Sequence, residues 1–283
     1  MKIEKIKFVL ISFFAISLTI FIIKQLIPSK EIEISYSSSV KNKEEEEIRQ
    51  WVINENIFEP VVEFINSEIN LNRDIKVLVG EGEESDAYYS YKNFEVKISY
   101  SFILSVQNLF QKKYDDEKAN LYTKDFMTFV LYHELGHALI HTLQIPVLGK
   151  EEDAVDDFAN ILLILSDEDG QEMVISGADY FLLSGEAQEV YDYLHLTDVH
   201  SIDEQRGYRG LSLVFGSDPE KYNEILDLDR ENKEIHKLIF ITQTYNWLTN
   251  LKPHLKKGIL LMTLKQFNGK NPIPIDIKSK PKQ

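Results

Sequence analysis

The sequence contains no cysteine among its 283 residues. This absence excludes disulfide bonds, zinc sites built on thiolates and cysteine nucleophiles. Any zinc ion that the chain binds must therefore be held by histidine, aspartate or glutamate. Basic residues are also few, since 31 lysines and arginines stand against 46 aspartates and glutamates, for a formal net charge of -15. This balance disfavours nucleic acid as a main partner.

The first 30 residues are typical of an N-terminal signal anchor or a secretory signal peptide. Lys2, Lys5 and Lys7 precede a run from Phe8 to Ile23 that is almost entirely apolar. No small-x-small cleavage site follows the run directly, so we favour an uncleaved transmembrane anchor over a signal that is cleaved to release a secreted protein. The positive N-terminus then predicts that the rest of the chain lies outside the cytoplasm, in a periplasmic or extracellular space.

Composition suggests three further segments. Residues 31–47 are predicted to form a polar linker, because they contain three consecutive serines and an acidic run. The apolar content of the whole chain, 43%, is enough for one substantial domain, which we place at residues 48–256. Residues 257–283 are basic and contain proline, and they are predicted to form a surface tail.

The convincing β pattern of the chain is confined to one region. Ile75–Val79 alternates between apolar and other residues, and Ala87–Tyr91 with Phe94–Tyr100 predicts a hairpin that turns at Lys92-Asn93. The tyrosines here are expected to pack in the core and across strands, although some could line a substrate groove. Helical spacing prevails elsewhere, so the predicted fold class is α+β, mostly helical with a small sheet.

The stretch Tyr132–His137 contains His-Glu-x-x-His, the metal-binding pattern of zinc peptidases. Its flanks predict one helix from about Thr123 to Leu143 that is apolar on nearly every side and therefore buried. His133 and His137 leave the same face one turn apart, and Glu134 lies about 100° round the helix, within reach of a water molecule on a metal ion. A carboxylate in such surroundings is costly unless a cation or hydrogen bonds compensate it.

A site of this kind needs a third protein ligand and an open position. A second helix is predicted to begin near Glu151, after a chain reversal over residues 144–150. The reversal can extend to at most about 25 Å, which is enough to bring Glu152 level with His137. We therefore predict Glu152 as the third ligand.

The neighbouring acids of this second helix are given separate roles. Asp156 lies one turn beyond Glu152 and is predicted to accept a hydrogen bond from a ligating histidine. Glu151 stands at the helix start, where the helix dipole alone explains a carboxylate. Asp153 and Asp157 are expected to face solvent.

His-Glu-x-x-His followed by Glu-x-x-x-Asp resembles the gluzincin arrangement of thermolysin-like peptidases, with a shorter spacing. Residues Glu152–Ala159 also resemble the corresponding segment of phage-immunity-repressor peptidases. A closer likeness is to a bacterial domain family of unknown function that is catalogued as putative metallopeptidases. It is carried by the segments His133–Leu139, Pro146–Ala154, His200–Arg206, Phe215–Pro219 and, more weakly, Trp247–His254.

This resemblance covers roughly residues 50–256 and implies a zincin-like domain with one Zn²⁺ per chain. Members of the family carry cysteines that this chain lacks, but the metal motif does not depend on them. Peptidases of this class also need a donor that stabilises the oxyanion of the transition state. His200, Arg206 and Tyr208 are candidates, with a structural ion pair or core contact as the alternative for each.

Together these observations predict a membrane-anchored zinc-dependent metallopeptidase that acts on peptide or protein substrates. His133, His137 and Glu152 would hold zinc, and Glu134 would act as general base. An exposed edge of the small sheet could hold the substrate by strand addition. Two alternatives stay open: a non-enzymatic anchored protein that uses zinc for structure or interaction, and a metal-dependent hydrolase of non-peptide substrates.

Overall fold

The computed structural model describes residues 29–80, 86–166, 169–186, 201–226 and 230–267. The chain divides into two units, Met1–Lys30 and Glu31–Gln283. The predicted membrane anchor lies almost wholly outside the described residues and stays a prediction. Among the helices that are described, none combines the length and the apolar character of a membrane span. All elements named below belong to the second unit.

A four-stranded sheet is built from the strands β1 (Ile32–Tyr36), β2 (Ile75–Val79), β3 (Ala87–Ser90) and β4 (Glu95–Ile98). Their order is β1-β2-β4-β3. β2 pairs in parallel with both β1 and β4, whereas β3 is antiparallel to β4 and forms one edge of the sheet. The predicted hairpin is confirmed, and the turn is closed by the backbone N–H of Phe94, which donates to the carbonyl oxygen of Ser90. The alternation in β2 reflects its position, with Ile75, Val77 and Val79 fully buried.

The prediction of a polar linker at residues 31–47 is wrong, because β1 lies within it. Ile32 is buried, and the side-chain amide of Asn66 bonds both its backbone N–H and its carbonyl oxygen. Glu33 and Ser35 face solvent in this edge strand, which gave the segment its polar composition.

The helices account for most of the described chain. They are α1 (Lys43–Asn54), α2 (Glu59–Glu68), α3 (Tyr100–Gln111), α4 (Asp116–Leu143), α5 (Glu151–Ser166), α6 (Gly170–Glu186), α7 (Asp203–Ser217), α8 (Arg230–Leu251) and α9 (Ile259–Phe267). A mostly helical α+β fold is therefore confirmed.

The predicted C-terminal tail, residues 257–283, is also wrong at its beginning, because α9 lies within it. Leu260 and Leu264 of this helix are buried. The carboxylate of Glu68 accepts hydrogen bonds of 2.9 Å from the backbone N–H groups of Ile259 and Leu260, and so caps the start of the helix. The domain thus continues past residue 256, because a short apolar helix follows the basic residues that suggested a tail.

Helix α4 is the core of the molecule, and every residue from Phe126 to Ile140 is buried. It begins at Asp116, earlier than the expected Thr123, because the side chain of Asp115 caps the backbone N–H of Lys118. The burial on all sides that the sequence predicted is confirmed. The polar side chains His133, Glu134 and His137 are therefore buried together with the helix that carries them.

Helices α4 and α5 approach each other closely at the metal motif. A Cβ atom at Gly136 would lie 3.0 Å from both Val155 Cγ1 and Phe158 Cδ1. The chain reverses between the helices through two residues with positive φ, Gln144 at 54° and Gly149 at 97°. This turn allows α5 to begin at Glu151, as predicted, and brings its acidic first turn against the two histidines.

Candidate metal centre

The structure brings the three predicted ligands together. The Nε2 atoms of His133 and His137 lie 3.3 and 3.4 Å from the same carboxylate oxygen, Oε2 of Glu152. The three potential ligand atoms all lie within 4.8 Å of one another, and both histidines are buried. α4 supplies the imidazoles and α5 the carboxylate, because Gly136 lets the helices pack closely at this level.

Asp156 fixes the orientation of the first histidine. The Nδ1 atom of His133 donates to Oδ1 of Asp156 at 2.7 Å, which leaves Nε2 directed at Glu152. Asp156 is held in turn by Arg206 of α7, whose Nε and Nη2 atoms donate to its two oxygens at 2.7 and 2.9 Å. This position of Asp156 agrees with its predicted role of holding a ligating histidine in one tautomer.

Glu151 orients His137 in the same way that Asp156 orients His133, because each carboxylate accepts a hydrogen bond from Nδ1 of its imidazole. Its Oε1 accepts a hydrogen bond of 2.6 Å from Nδ1 of His137 and another of 2.7 Å from the hydroxyl of Tyr91. The sequence interpretation, which ascribed Glu151 to the helix dipole alone, missed this contact. The hydrogen bond of Tyr91 to Glu151 was not predicted either, although the alternative that some of the hairpin tyrosines line a substrate groove stayed open. A second ligating histidine needs its own hydrogen-bond acceptor, and this requirement could have identified Glu151 from the sequence.

The electrostatic environment of the histidines favours positive charge. Burial would lower the pKa of His133, but hydrogen bonds to Asp156 and Glu152 outweigh it and raise the pKa to about 9. At His137 burial is likewise outweighed by Glu152 and Glu151, and the pKa is raised. The carboxylates that raise both pKa values would also attract a divalent cation, which binds the imidazoles in their neutral form and so displaces these protons. Two nitrogens and one oxygen form a donor set that zinc uses in catalytic sites.

Glu134 is not one of the three candidate ligands, but it interacts electrostatically with His133, His137 and Glu152. Burial raises the pKa of its carboxyl group, against the effects of His133 and His137, which lower it. Glu134 is almost completely buried, at 7% exposed. A carboxylate whose pKa is raised by an apolar environment is suited to accept and return a proton.

The three candidate transition-state stabilisers differ in where they lie relative to the metal centre. Arg206 is near the cluster, but its guanidinium binds Asp156 and lies 4.2 Å above the ring of Phe181. Tyr208 is about half exposed, and its ring lies 6.1 Å from that of His236. The surface cavity beside Tyr208 is lined by none of the three ligands. His200 lies outside the described residues.

Asp157 is buried, and the prediction that it faces solvent is wrong. Nε and Nη2 of Arg209 donate to its two oxygens at 2.7 Å each. The pairs Arg206–Asp156 and Arg209–Asp157 therefore join α7 to α5 side by side. These two pairs could have been predicted from the sequence. Two adjacent acids stand on one helix, and two arginines three residues apart stand on another.

A second histidine-containing cluster adjoins the metal centre. Nδ1 of His141 lies 2.9 Å from the hydroxyl of Tyr89, and its ring stacks on Phe94 with an interplanar angle of 4°. The guanidinium of Arg73 lies 3.6 Å from the centre of the Phe94 ring. His141 is therefore held by its contact with Tyr89 and by packing on Phe94. Tyr89 follows the expectation of core packing, whereas Tyr91 is half exposed and bonds to Glu151.

A family model described as "Putative metallopeptidase" matches residues 36–245. The matched range contains all three candidate ligands, Glu134 and both arginine–aspartate pairs. No curated protein matches the chain, and neither does any solved structure.

Proposed function

The chain belongs to this family described as putative metallopeptidases, and we propose that it is a zinc-dependent peptidase whose metal ion is held by His133, His137 and Glu152. The observation that carries the proposal is the convergence of both Nε2 atoms on one oxygen of Glu152 beside a buried Glu134. A zinc ion held there would polarise the scissile carbonyl group and lower the pKa of a water molecule.

Glu134 is the proposed general base. Its carboxylate takes a proton from the attacking water and returns it to the amine that leaves when the C–N bond breaks. Burial raises the pKa of this carboxyl group and so makes it a better proton acceptor. Asp156 and Glu151 hold the two imidazoles by their Nδ1 atoms throughout.

The sheet edge formed by β3 is the proposed binding element for an extended peptide. Asp86 and Ala87, at the start of this edge, line one cavity together with His133 and Glu134. Tyr91, just after β3, bonds to Glu151. An edge strand that borders the reactive groups can align a peptide backbone through main-chain hydrogen bonds.

The alternative of a purely structural zinc site is less well supported. Structural sites are normally closed by four protein ligands. Within the described ranges, three protein groups converge here and a buried carboxylate stands beside them. Three ligands and an adjacent base are the composition of a hydrolytic site. The same groups could also hydrolyse a non-peptide substrate. The cleavage experiment described next distinguishes that activity from peptidase activity.

The test is proteomic cleavage profiling with the full chain. Zinc-supplemented protein is incubated with a mixture of denatured proteins, and new peptide termini are identified by mass spectrometry. The matched control is Glu134→Gln, which is expected to keep bound zinc and to lose most turnover. The proposal fails if wild type with bound zinc produces no new termini, or if Glu134→Gln produces them at the same rate.

A further inference from the structure

Helix α9 has apolar side chains on its outer side as well as on its inner side. Leu260 and Leu264 are buried against the domain, whereas Ile259 and Met262 are 41% and 58% exposed. Lys265, one turn after Met262, is also exposed. A helix whose outer side combines large apolar residues with lysine is typical of one that lies at a membrane surface.

The segment that contains α9 is basic, although the chain as a whole is acidic. Residues 252–267 include four lysines and no aspartate or glutamate, in a chain with a formal net charge of -15. Lys252, Lys257 and Lys265 are exposed. Among the residues that the structure describes, no carboxylate forms an ion pair with these three ammonium groups. Their positive charge attracts the negative surface of a bilayer that contains anionic lipids.

The same segment adjoins the point where the chain enters the domain. The side-chain amide of Asn66 bonds both backbone groups of Ile32, and the backbone carbonyl oxygen of Asn66 accepts a hydrogen bond from Nζ of Lys256. The predicted membrane anchor ends near residue 30, and two residues span at most about 7 Å. A chain anchored as predicted therefore holds this basic segment close to the lipid surface.

A second copy of the chain fits this surface less well than a bilayer does. In a symmetric dimer the same surface meets itself, so lysines would face lysines across the contact. Like charges brought together in this way repel each other. An anionic bilayer instead supplies both the opposite charge and an apolar layer beneath it.

We propose that Lys252, Lys257, Ile259, Met262 and Lys265 form a lipid-binding face, with which the domain lies on an anionic bilayer. Ile259 and Met262 enter the boundary between head groups and acyl chains, and the three lysines bind anionic head groups. This contact is separate from the predicted anchor. Together the two attachments fix the orientation of the metal centre relative to the membrane, because a domain held at a single point is free to rotate about it.

The first part of the test places a probe on the lipid-binding face of the full chain. The chain has no cysteine, so Met262→Cys provides a single thiol for a polarity-sensitive fluorophore. The protein is reconstituted into vesicles of phosphatidylcholine alone, or of phosphatidylcholine and the anionic phosphatidylglycerol in about equal parts. Leu121→Cys is the matched control, because Leu121 is an apolar residue of similar exposure, 54%, in the first half of α4.

We expect the probe at position 262 to emit at shorter wavelength in the mixed vesicles and, by quenching with lipid-borne quenchers, to lie about 5–10 Å deep. The probe at position 121 should stay in water in both kinds of vesicle. If the probe at position 262 stays in water in the mixed vesicles, the inference is wrong. Equal shielding of this probe in both kinds of vesicle points to a second copy or another part of this chain as the occupant, and also contradicts the inference.

The second part removes the positive charge. Lys252→Gln, Lys257→Gln and Lys265→Gln combined are expected to lower the shielded fraction of the probe at position 262 about tenfold. Raising the salt concentration from about 0.1 M to about 1 M should act in the same direction, because the Debye length falls from about 10 Å to about 3 Å.

The matched control for the triple variant replaces three exposed lysines elsewhere in the chain by glutamine, and so changes the net charge equally. These are Lys43, Lys92 and Lys112. The control variant should keep the shielding of the probe. Full shielding in the first triple variant, or an equal loss in the control variant, overturns the inference.

Discussion

Glu151 accepts a hydrogen bond of 2.6 Å from Nδ1 of His137, although the neighbouring Glu152 is the carboxylate that meets both Nε2 atoms. Two consecutive residues of α5 thus serve one imidazole from opposite sides. Asp156 completes the arrangement, because it accepts from Nδ1 of His133. Each proposed histidine ligand is therefore held by its own carboxylate.

Glu152 is expected to be indispensable for metal binding, because its oxygen is the third member of the ligand set. Glu152→Ala should reduce the zinc content of the purified chain from about one ion to near zero. Elemental analysis and competition with a chromogenic chelator measure this. Asp153→Ala is the matched control, since Asp153 is an exposed acid in the same turn. Equal zinc affinity in both variants would remove Glu152 from the ligand set.

Glu151→Ala is expected to weaken zinc binding on the order of 10–100-fold, because His137 loses the acceptor that fixes its tautomer and ring orientation. Glu151→Gln should lie between wild type and Glu151→Ala, since its amide oxygen can still accept the hydrogen bond. Zinc affinity measured for the two variants in one buffer tests this. If Glu151→Ala binds zinc with wild-type affinity, the helix dipole alone explains the carboxylate at this position.

Arg206→Ala is expected to destabilise the fold by about 3–5 kcal/mol, because it removes the guanidinium that makes two hydrogen bonds to the buried carboxylate of Asp156. Arg206 and His133 together hold the pKa of Asp156 at about 2, against burial, which would raise it. The free energy of unfolding should be measured in the presence of a chelator, so that metal loss does not contribute.

Arg209→Ala is the matched control for this measurement, because Arg209 makes the same type of pair with Asp157 and is more exposed. Its loss of stability should be smaller. If Arg206→Ala instead unfolds like wild type and loses turnover, Arg206 acts on the substrate and not as a support for Asp156.

The N-terminal segment is expected to hold the chain in a membrane with Lys2, Lys5 and Lys7 on the cytoplasmic side. Fusions of a compartment-sensitive reporter after residue 60 measure the orientation. Activity of the reporter outside the cytoplasm is the expected result. Replacing the three lysines by glutamate should reduce the fraction exported. A reporter that is active only in the cytoplasm contradicts this topology.

Some boundaries of the fold were beyond reach of the sequence because they depend on partners distant in the chain. β1 reads as a polar segment, since one face of an edge strand meets water, and its pairing partner β2 begins only at Ile75. α9 follows basic residues that resemble a tail, and the group that caps it is Glu68, far earlier in the chain. Local composition carries no record of such contacts.

In the candidate site, too, some features follow from local sequence and others depend on distant contacts. The spacing of His133 and His137 by itself determined that both imidazoles share a face of one helix, because the pitch of an α-helix leaves no alternative. The apolar flanks likewise determined that Glu134 is buried. The short reversal allowed Glu152 to lie level with His137, and Asp156 one turn beyond favoured Glu152 over Glu151 as the third ligand.

Only the tertiary structure decided what surrounds those groups. The bond from His137 to Glu151 depends on a choice between two adjacent carboxylates. The two arginines that α7 brings to Asp156 and Asp157, and the cavity that His133 and Glu134 line, join segments that are distant in the sequence. Periodicity assigns a residue to a face of its own helix. Which atom of a neighbouring helix meets that face depends on how closely the two helices pack, and here that is decided by the missing side chain of Gly136.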